Sequence, residues 1–91
     1  MNATEAYHLA QKGIADLKAA ILALITSAGN EGLTNAEVGK ALGIYRGHSQ
    51  SGHEGHVSRF LLERMREEQV IVQGDGKRWR LASHPPQADD N

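Results

Sequence analysis

Apolar residues in the first third of the chain recur with the period of an amphipathic helix. From Thr4 to Ala28 they are spaced alternately by three and four residues, which places them on one side of a helix. We therefore predict a helix over residues 4–28 with Thr4 as its N-cap. Gly13 is its weakest position, because glycine inside a helix costs about 1 kcal/mol relative to alanine. A break near Lys12–Gly13, giving two helices in place of one, is the alternative.

The first half of this helix carries a narrow apolar stripe, formed by Tyr7, Ala10, Ile14 and Leu17. A small domain does not need all of these residues for its core. We expect residues 1–13 to form an N-terminal helical extension and a candidate dimer arm, in which helix packs against helix as in coiled coils. The alternative is that this part of the chain folds back on its own domain.

A second helix is marked by a capping box, in which a hydroxyl residue is followed three residues later by glutamate. Thr34 and Glu37 have this spacing, and they predict a helix over residues 35–42. Gly43 follows at once and is a natural residue to end it. The short stretch before it, residues 32–34, is predicted to be extended.

A third helix is predicted from the same signal. Ser51 and Glu54 repeat the capping-box spacing, so the helix should begin there and continue to about Glu68. One side of this helix is apolar and should face the core. That side holds Val57, Leu61, Leu62 and Met65, whereas the polar side holds His56, Arg59, Glu63 and Arg66, with Phe60 at the border.

The stretch VIVQGDGKRWRLA, residues 70–82, predicts a β-hairpin. Asp75 and Gly76 between two apolar runs are a strong signal for a tight turn. Apolar and basic residues alternate in the second strand, which predicts one buried face and one basic face. The inward pair is Trp79 and Leu81, and the basic pair is Arg78 and Arg80.

The composition limits the class of protein. A chain of 91 residues suffices for one small domain. It has no cysteine and no apolar run near the roughly 20 residues that cross a bilayer, and it shows no secretory signal. The lack of cysteine suits a reducing compartment, and we expect a cytoplasmic protein. The polar residues 83–91 predict a disordered tail.

The charge of the chain is unevenly distributed. Its net charge of −1 argues against a strongly basic nucleic-acid binder. Residues 40–80, however, hold eight Lys or Arg against five Asp or Glu, a net +3. This basic middle section is the part of the chain that we expect to meet a polyanion.

Three histidines raise the question of a metal site. His48, His53 and His56 lie within the string HSQSGHEGH, and imidazoles can bind zinc. No cysteine and no zinc-finger spacing accompany them, so we expect no metal. Glu54 beside His53 is not joined by a nucleophile or a phosphate loop. We predict neither catalysis nor a small-molecule cofactor.

The order of elements resembles the winged helix-turn-helix family of bacterial transcription regulators. The resemblance is carried by GLTNAEVGKALGI, VSRFLLERMREEQVIV and GKRWRL. It implies a mainly α fold with a small β hairpin, in which residues 14–82 form a three-helix core with a two-stranded wing, preceded by an extended N-terminal helix. It also implies a bacterial, archaeal or phage-host cell. Two features depart from the family pattern: residues 43–52 make a long connection before the third helix, and Glu63 lies on the presumed reading face.

The resemblance implies that the third helix enters the major groove of double-stranded DNA and that the hairpin touches the backbone. Carried over by position, the contacts would come from His53, His56, Arg59, Arg66, Lys77, Arg78 and Arg80. Arg46, His48 and Ser51 join this set because a hydroxyl and backbone amides at a helix start suit a phosphate oxygen. Two alternatives stand beside these roles: Arg59 pairs with Glu63 on the helix surface, or the wing cations only protect a strand edge.

Two readings of function follow. The first is sequence-specific or structure-selective binding of double-stranded DNA by a transcription regulator, which forms a homodimer through its N-terminal helix. The rival is a protein-interaction adaptor or accessory subunit with the same fold, which would present an exposed apolar patch around Phe60 or the 7–17 stripe. A DNA-binding appendage of a nuclease or restriction system is a third context.

Overall fold

In the computed structural model, which describes residues 1–45 and 54–82, the chain is mainly helical. The described part holds α1 (Ala3–Ala28), α2 (Asn35–Leu42) and α3 (His56–Glu67). Strands β1 (Ile71–Gln73) and β2 (Trp79–Leu81) follow and pair antiparallel. The prediction of a mainly α chain with a small β hairpin is confirmed. The tail predicted over residues 83–91 lies outside the described residues.

Helix α1 is a single helix of 26 residues, so the alternative of a break near Lys12–Gly13 is wrong. Its N-cap is Asn2, and the prediction of Thr4 was wrong by two positions. The Asn2 side chain accepts a hydrogen bond from the Glu5 backbone N–H at 2.8 Å, and the Glu5 carboxylate accepts one from the Asn2 backbone N–H at 2.8 Å. Asn2 is the N-cap in place of Thr4 because Glu5, three residues after Asn2, completes its capping box.

Helix α2 has the predicted bounds. Thr34 and Glu37 form the predicted capping box, with hydrogen bonds of 3.2 and 2.9 Å. Gly43 ends the helix in the left-handed conformation, at φ 73°. Both ends of this short helix are thus fixed by local sequence.

Helix α3 begins later than predicted, because a turn at Glu54 and Gly55 precedes it. Gly55 is the N-cap in the left-handed conformation, at φ 84°, and its N–H donates to the Tyr45 carbonyl at 2.6 Å. The predicted capping box is therefore wrong at Glu54, and Ser51 lies outside the described residues. The helix ends at Glu67, one residue before the predicted end.

The rotation of α3 also differs from the prediction. Val57 was expected to face the core, but it is 48% exposed, whereas Ser58 is fully buried. Ser58 packs against α2 at Gly39, where an added Cβ would lie 2.9 Å from the Ser58 Oγ. This close contact between a serine and a glycine turns Val57 outward. The other three residues predicted to face inward, Leu61, Leu62 and Met65, are buried.

The hairpin has strands of three residues each and a longer turn than Asp-Gly alone requires. A 3-10 turn over Asp75–Lys77 connects the strands, and Gly76 and Lys77 take positive φ angles of 68° and 58°. Leu33 joins β2 from the other side, because its N–H and C=O both bond to Trp79, at 3.0 and 2.7 Å. The extended stretch predicted before α2 therefore lies along β2.

The core lies where the helices meet the sheet. It consists of Ile21, Ile25, Val38, Leu61, Leu62, Met65, Ile71 and Trp79, each at most 2% exposed. Burial of such a side chain contributes about 1.5–3 kcal/mol. Leu81 was predicted to face inward but is 43% exposed. It lies beside Ile25 on an open cavity of about 180 Å³, which leaves one side of the leucine in contact with solvent.

Candidate nucleic-acid interface

Helix α3, the start of α2 and the hairpin enclose an open cleft of about 400 Å³. It is lined by Thr34, Asn35, Ala36, Tyr45, Arg59, Glu63, Gln73, Gly76, Lys77 and Trp79. Three separate parts of the fold therefore present side chains to one concave surface. We call this surface the cleft.

Two basic side chains line the cleft from opposite elements. Arg59 lies in the first turn of α3, and Lys77 lies in the hairpin turn; both are exposed. Within residues 1–45 and 54–82, the side chains of Arg59 and Lys77 make no ion pair, hydrogen bond or ring contact. Their positive charge is thus available to an anion placed in the cleft.

Glu63 also lines the cleft, and its charge is already paired. Its carboxylate accepts a hydrogen bond from the Arg66 Nε at 2.9 Å, and the Arg66 terminal nitrogen contacts the same oxygen. The alternative in which Glu63 pairs with Arg59 is therefore not the arrangement in the structure. Arg66 serves to neutralise the acid on this face, and both groups remain partly exposed.

The two arginines of the hairpin point back into the protein instead of outward. Arg78 donates from Nε to the Glu31 carbonyl at 2.8 Å and from its terminal nitrogen to the Gly32 carbonyl at 3.2 Å. Arg80 donates from Nε to the Asn30 carbonyl at 2.6 Å. Three consecutive carbonyls after α1 are thereby satisfied by side chains of the hairpin. We call this set of contacts the arginine clamp.

The clamp reaches α2 through Glu37. The Glu37 carboxylate accepts from the Thr34 backbone N–H at 2.9 Å and from the Arg78 guanidinium at 3.1 Å. The backbone hydrogen bond of Thr34 is the largest cause that lowers the pKa of Glu37, and the charge of Arg78 lowers it further. One carboxylate therefore caps α2 and holds the hairpin against it.

A hydrogen bond connects the start of α2 with the start of α3 beside the cleft. The Asn35 side chain donates from Nδ2 to the Gly55 carbonyl at 3.1 Å. An added Cβ at Gly55 would lie 2.6 Å from that same nitrogen, so the two segments approach as closely as glycine allows. This contact fixes where the first turn of α3, and hence Arg59, stands relative to α2.

The remaining predicted contact residues divide into two groups. Arg46, His48, Ser51 and His53 fall outside the described residues. His56 is the first residue of α3 and is exposed. In the described ranges, no cluster of three or more His, Asp or Glu side chains could hold a metal ion. Two of the three histidines weighed as a metal site, His48 and His53, lie beyond those ranges.

The four predicted dimer contacts lie along one stripe of α1. Tyr7 and Ala10 are exposed, Ile14 is 36% exposed, and Leu17 packs against the edge of the core. The stripe therefore leaves the domain near Leu17 and continues over residues that no other described segment covers.

Sequence reasoning missed the inward role of Arg78 and Arg80 and the part played by Thr34 and Asn35. The capping box gave a usable signal for Thr34, since it placed the start of α2 at that position. The arginines gave no such signal, because their acceptors are backbone carbonyls about 50 residues earlier, at Asn30 to Gly32.

Comparison with known proteins places this chain in no family. No family model, curated protein or solved structure matches it. Over the described residues, none of the helices combines the length and the apolar character that a membrane span requires.

Proposed function

We propose that the protein is a winged-helix DNA-binding protein that contacts duplex DNA through the cleft face. The observation that carries the proposal is the convergence of Arg59 and Lys77, from two different elements, on the cleft beside the start of α2. Each has a full charge with no partner in the described protein. Contacts between phosphates and basic side chains supply most of the affinity of such proteins.

The order of elements supports the winged-helix assignment. Helix α1 is followed by the extended Leu33, then α2, α3 and the hairpin, and Leu33 lies along β2. In this arrangement α3 is the helix that would enter the major groove, and the hairpin turn would lie over the backbone. Transcription regulation is the process that such a domain serves in our proposal.

Three of the arginines predicted to contact DNA already have partners within the protein. Arg78 and Arg80 are engaged in the arginine clamp, and Arg66 is paired with Glu63. We therefore assign direct contact to Arg59 and Lys77, and a positioning role to the clamp. His56 lies one turn before Arg59 on α3 and faces the same exposed side of the helix.

Binding to duplex DNA at a series of salt concentrations tests the proposal. Each phosphate neutralised by a basic side chain contributes about −0.9 to the slope of log K against log salt. Arg59 and Lys77 alone predict a slope of about −2 per protomer. Fluorescence anisotropy with a random-sequence duplex measures this slope. An affinity that does not change with salt would contradict the proposal.

A second function, docking to a protein, is favoured by one observation on α3. Val57 and Phe60 are 48% and 58% exposed. They lie one turn apart on a flank of the helix, about 160° and about 100° around the axis from Arg59. The same protein would then bind a partner on this flank and leave the cleft unused. Phe60→Ser and Arg59→Ala separate the two functions, because only Arg59→Ala should weaken binding to the duplex.

A further inference from the structure

The first 16 residues of the chain form an arm that no other described segment covers. Every residue from 1 to 16 is exposed, although α1 is helical from Ala3 onward. Residues 3–16 extend the helix by about 21 Å at about 1.5 Å per residue. An isolated helix of this length is marginal in water, so a surface that buries it would stabilise it.

The apolar stripe of this arm continues the stripe that is buried in the core. Tyr7, Ala10 and Ile14 lie on the same side of α1 as Ile21 and Ile25, which are fully buried. The opposite side is polar, and its Lys12 and Asp16 side chains are paired with each other at 2.7 Å. The arm therefore has one face for packing and one face for solvent.

The rest of the chain does not offer side chains to cover this face. The two segments outside the described residues read RGHSQSGH, residues 46–53, and SHPPQADDN, residues 83–91. Neither contains Val, Leu, Ile, Met, Phe, Tyr or Trp. These two segments therefore supply no large apolar side chain for this face, whereas a second copy of the arm offers a matching stripe.

The domain fixes the orientation of the second copy. A parallel helix would continue along the stripe into the space filled by the core at Ile21 and Ile25. An antiparallel second helix avoids this clash only if its N-terminus stops near Leu17 of the first copy. That condition places Ala3 opposite Ile14 of the second copy, and Tyr7 opposite its Ala10, so that a large side chain meets a small one.

We propose that two copies of the chain form an antiparallel dimer through the stripe Tyr7, Ala10 and Ile14 of their α1 arms. This inference rests on α1 alone and does not depend on DNA binding. The arm is short, so the contact belongs to the small, weak class of interfaces, with a dissociation constant on the order of micromolar.

Sedimentation of the full chain without nucleic acid tests the dimer. The wild type should pass from monomer to dimer as its concentration rises through the micromolar range. Ile14→Glu should raise the dissociation constant by at least about tenfold, because it buries a charge in the interface. Leu9→Glu is the matched control: Leu9 is 57% exposed and lies off the stripe, so its dissociation constant should stay within about twofold of wild type.

Disulfide formation tests the register. The chain has no cysteine, so introduced cysteines are unique. In the antiparallel register Ala3→Cys and Ile14→Cys do not crosslink with themselves, because equivalent positions are separated along the axis by about 16 Å. A mixture of the two variants should crosslink, since the pair lies directly opposite.

Three results would overturn the proposal. One is a wild type that stays monomeric up to several hundred micromolar with its helix content intact by circular dichroism. Another is an equal loss of association in Leu9→Glu and Ile14→Glu. The third is crosslinking of Ala3→Cys with itself, which requires a parallel pair. None of these results bears on the salt dependence of DNA binding, so the two proposals fail separately.

Discussion

Two pairs of basic residues near the hairpin look alike in the sequence and differ in the structure. Arg78 and Arg80 are turned inward and hold the backbone after α1, whereas Arg59 and Lys77 lie on the cleft without a partner among the described residues. The difference comes from the acceptors within reach. Three backbone carbonyls lie beside β2, and the Glu63 carboxylate near Arg59 is occupied by Arg66. Basic residues in the same part of the chain can therefore stabilise the fold or remain available for binding, and their contact partners distinguish the two roles.

The largest effect on stability is expected at Gly32, whose carbonyl is an acceptor in the arginine clamp. Gly32 has a φ of 68°, and an added Cβ would lie 2.6 Å from the Trp79 carbonyl oxygen. Gly32→Ala should therefore reduce the free energy of unfolding by about 2–4 kcal/mol, through backbone strain and loss of the contact between Leu33 and β2. Chemical denaturation measures this loss.

Gly13→Ala is the control for that substitution. Gly13 has open space around it in the middle of a helix, so alanine should raise the stability of the monomer by about 0.5–1 kcal/mol. Measurement at sub-micromolar concentration keeps dimerisation out of the comparison. Equal effects of the two substitutions would contradict the account of Gly32.

The next effect concerns the cleft. Arg59→Ala should weaken binding to a specific duplex site by about 1–3 kcal/mol and change the free energy of unfolding by less than about 0.5 kcal/mol. Arg64→Ala on the same helix is the control, because Arg64 lies away from the cleft and only approaches Glu68 at 3.9 Å. Anisotropy titration and thermal melting of both variants decide the matter. A loss of affinity as large in Arg64→Ala would mean that Arg59 has no special position.

A smaller effect separates charge from geometry in the clamp. Arg78→Ala should cost about 1–2 kcal/mol of stability, because its three acceptors lose a charged donor. Arg78→Lys should also lose much of this stability, because a single ammonium group cannot replace the several hydrogen bonds that the planar guanidinium donates. Both proteins should bind DNA with nearly the wild-type salt slope. If Arg78→Lys restores full stability, charge alone explains the contact.

The smallest effect is a dependence of the clamp on pH. The pKa of Glu37 is lowered by the Thr34 N–H and by Arg78, so its carboxylate form stabilises the folded state. That contribution is complete above the ordinary glutamate pKa of about 4.3 and is lost as pH falls through the lowered value. Glu37→Gln should reduce the acid sensitivity of unfolding in this range. An unchanged pH profile in the variant would exclude Glu37 as its source.

Local signals in the sequence predicted most of the fold. The bounds of α2 followed from the Thr34–Glu37 box and Gly43, and the hairpin followed from Asp75 and Gly76. These features succeed because each depends on residues only a few positions apart. The start of α3 was wrong because Gly55 binds the carbonyl of Tyr45, a contact that no local spacing records.

The candidate site was less predictable than the fold. Arg59 was placed on the exposed face of α3 from periodicity alone, and the structure keeps it there. The inward turn of Arg78 and Arg80 depends on contacts between the hairpin and residues 30–32, which are distant in sequence. Val57 was assigned to the core because periodicity does not include the contact between Ser58 and Gly39.

The salt dependence of DNA binding in an Arg59→Gln, Lys77→Asn double variant tests the central claim most directly. Asparagine suits position 77 because it tolerates the left-handed conformation found there, at φ 58°. The account predicts a slope of about −2 for the wild type and a slope near zero for the double variant, with stability unchanged. A double variant that keeps the wild-type slope would show that the cleft is not where the protein meets DNA.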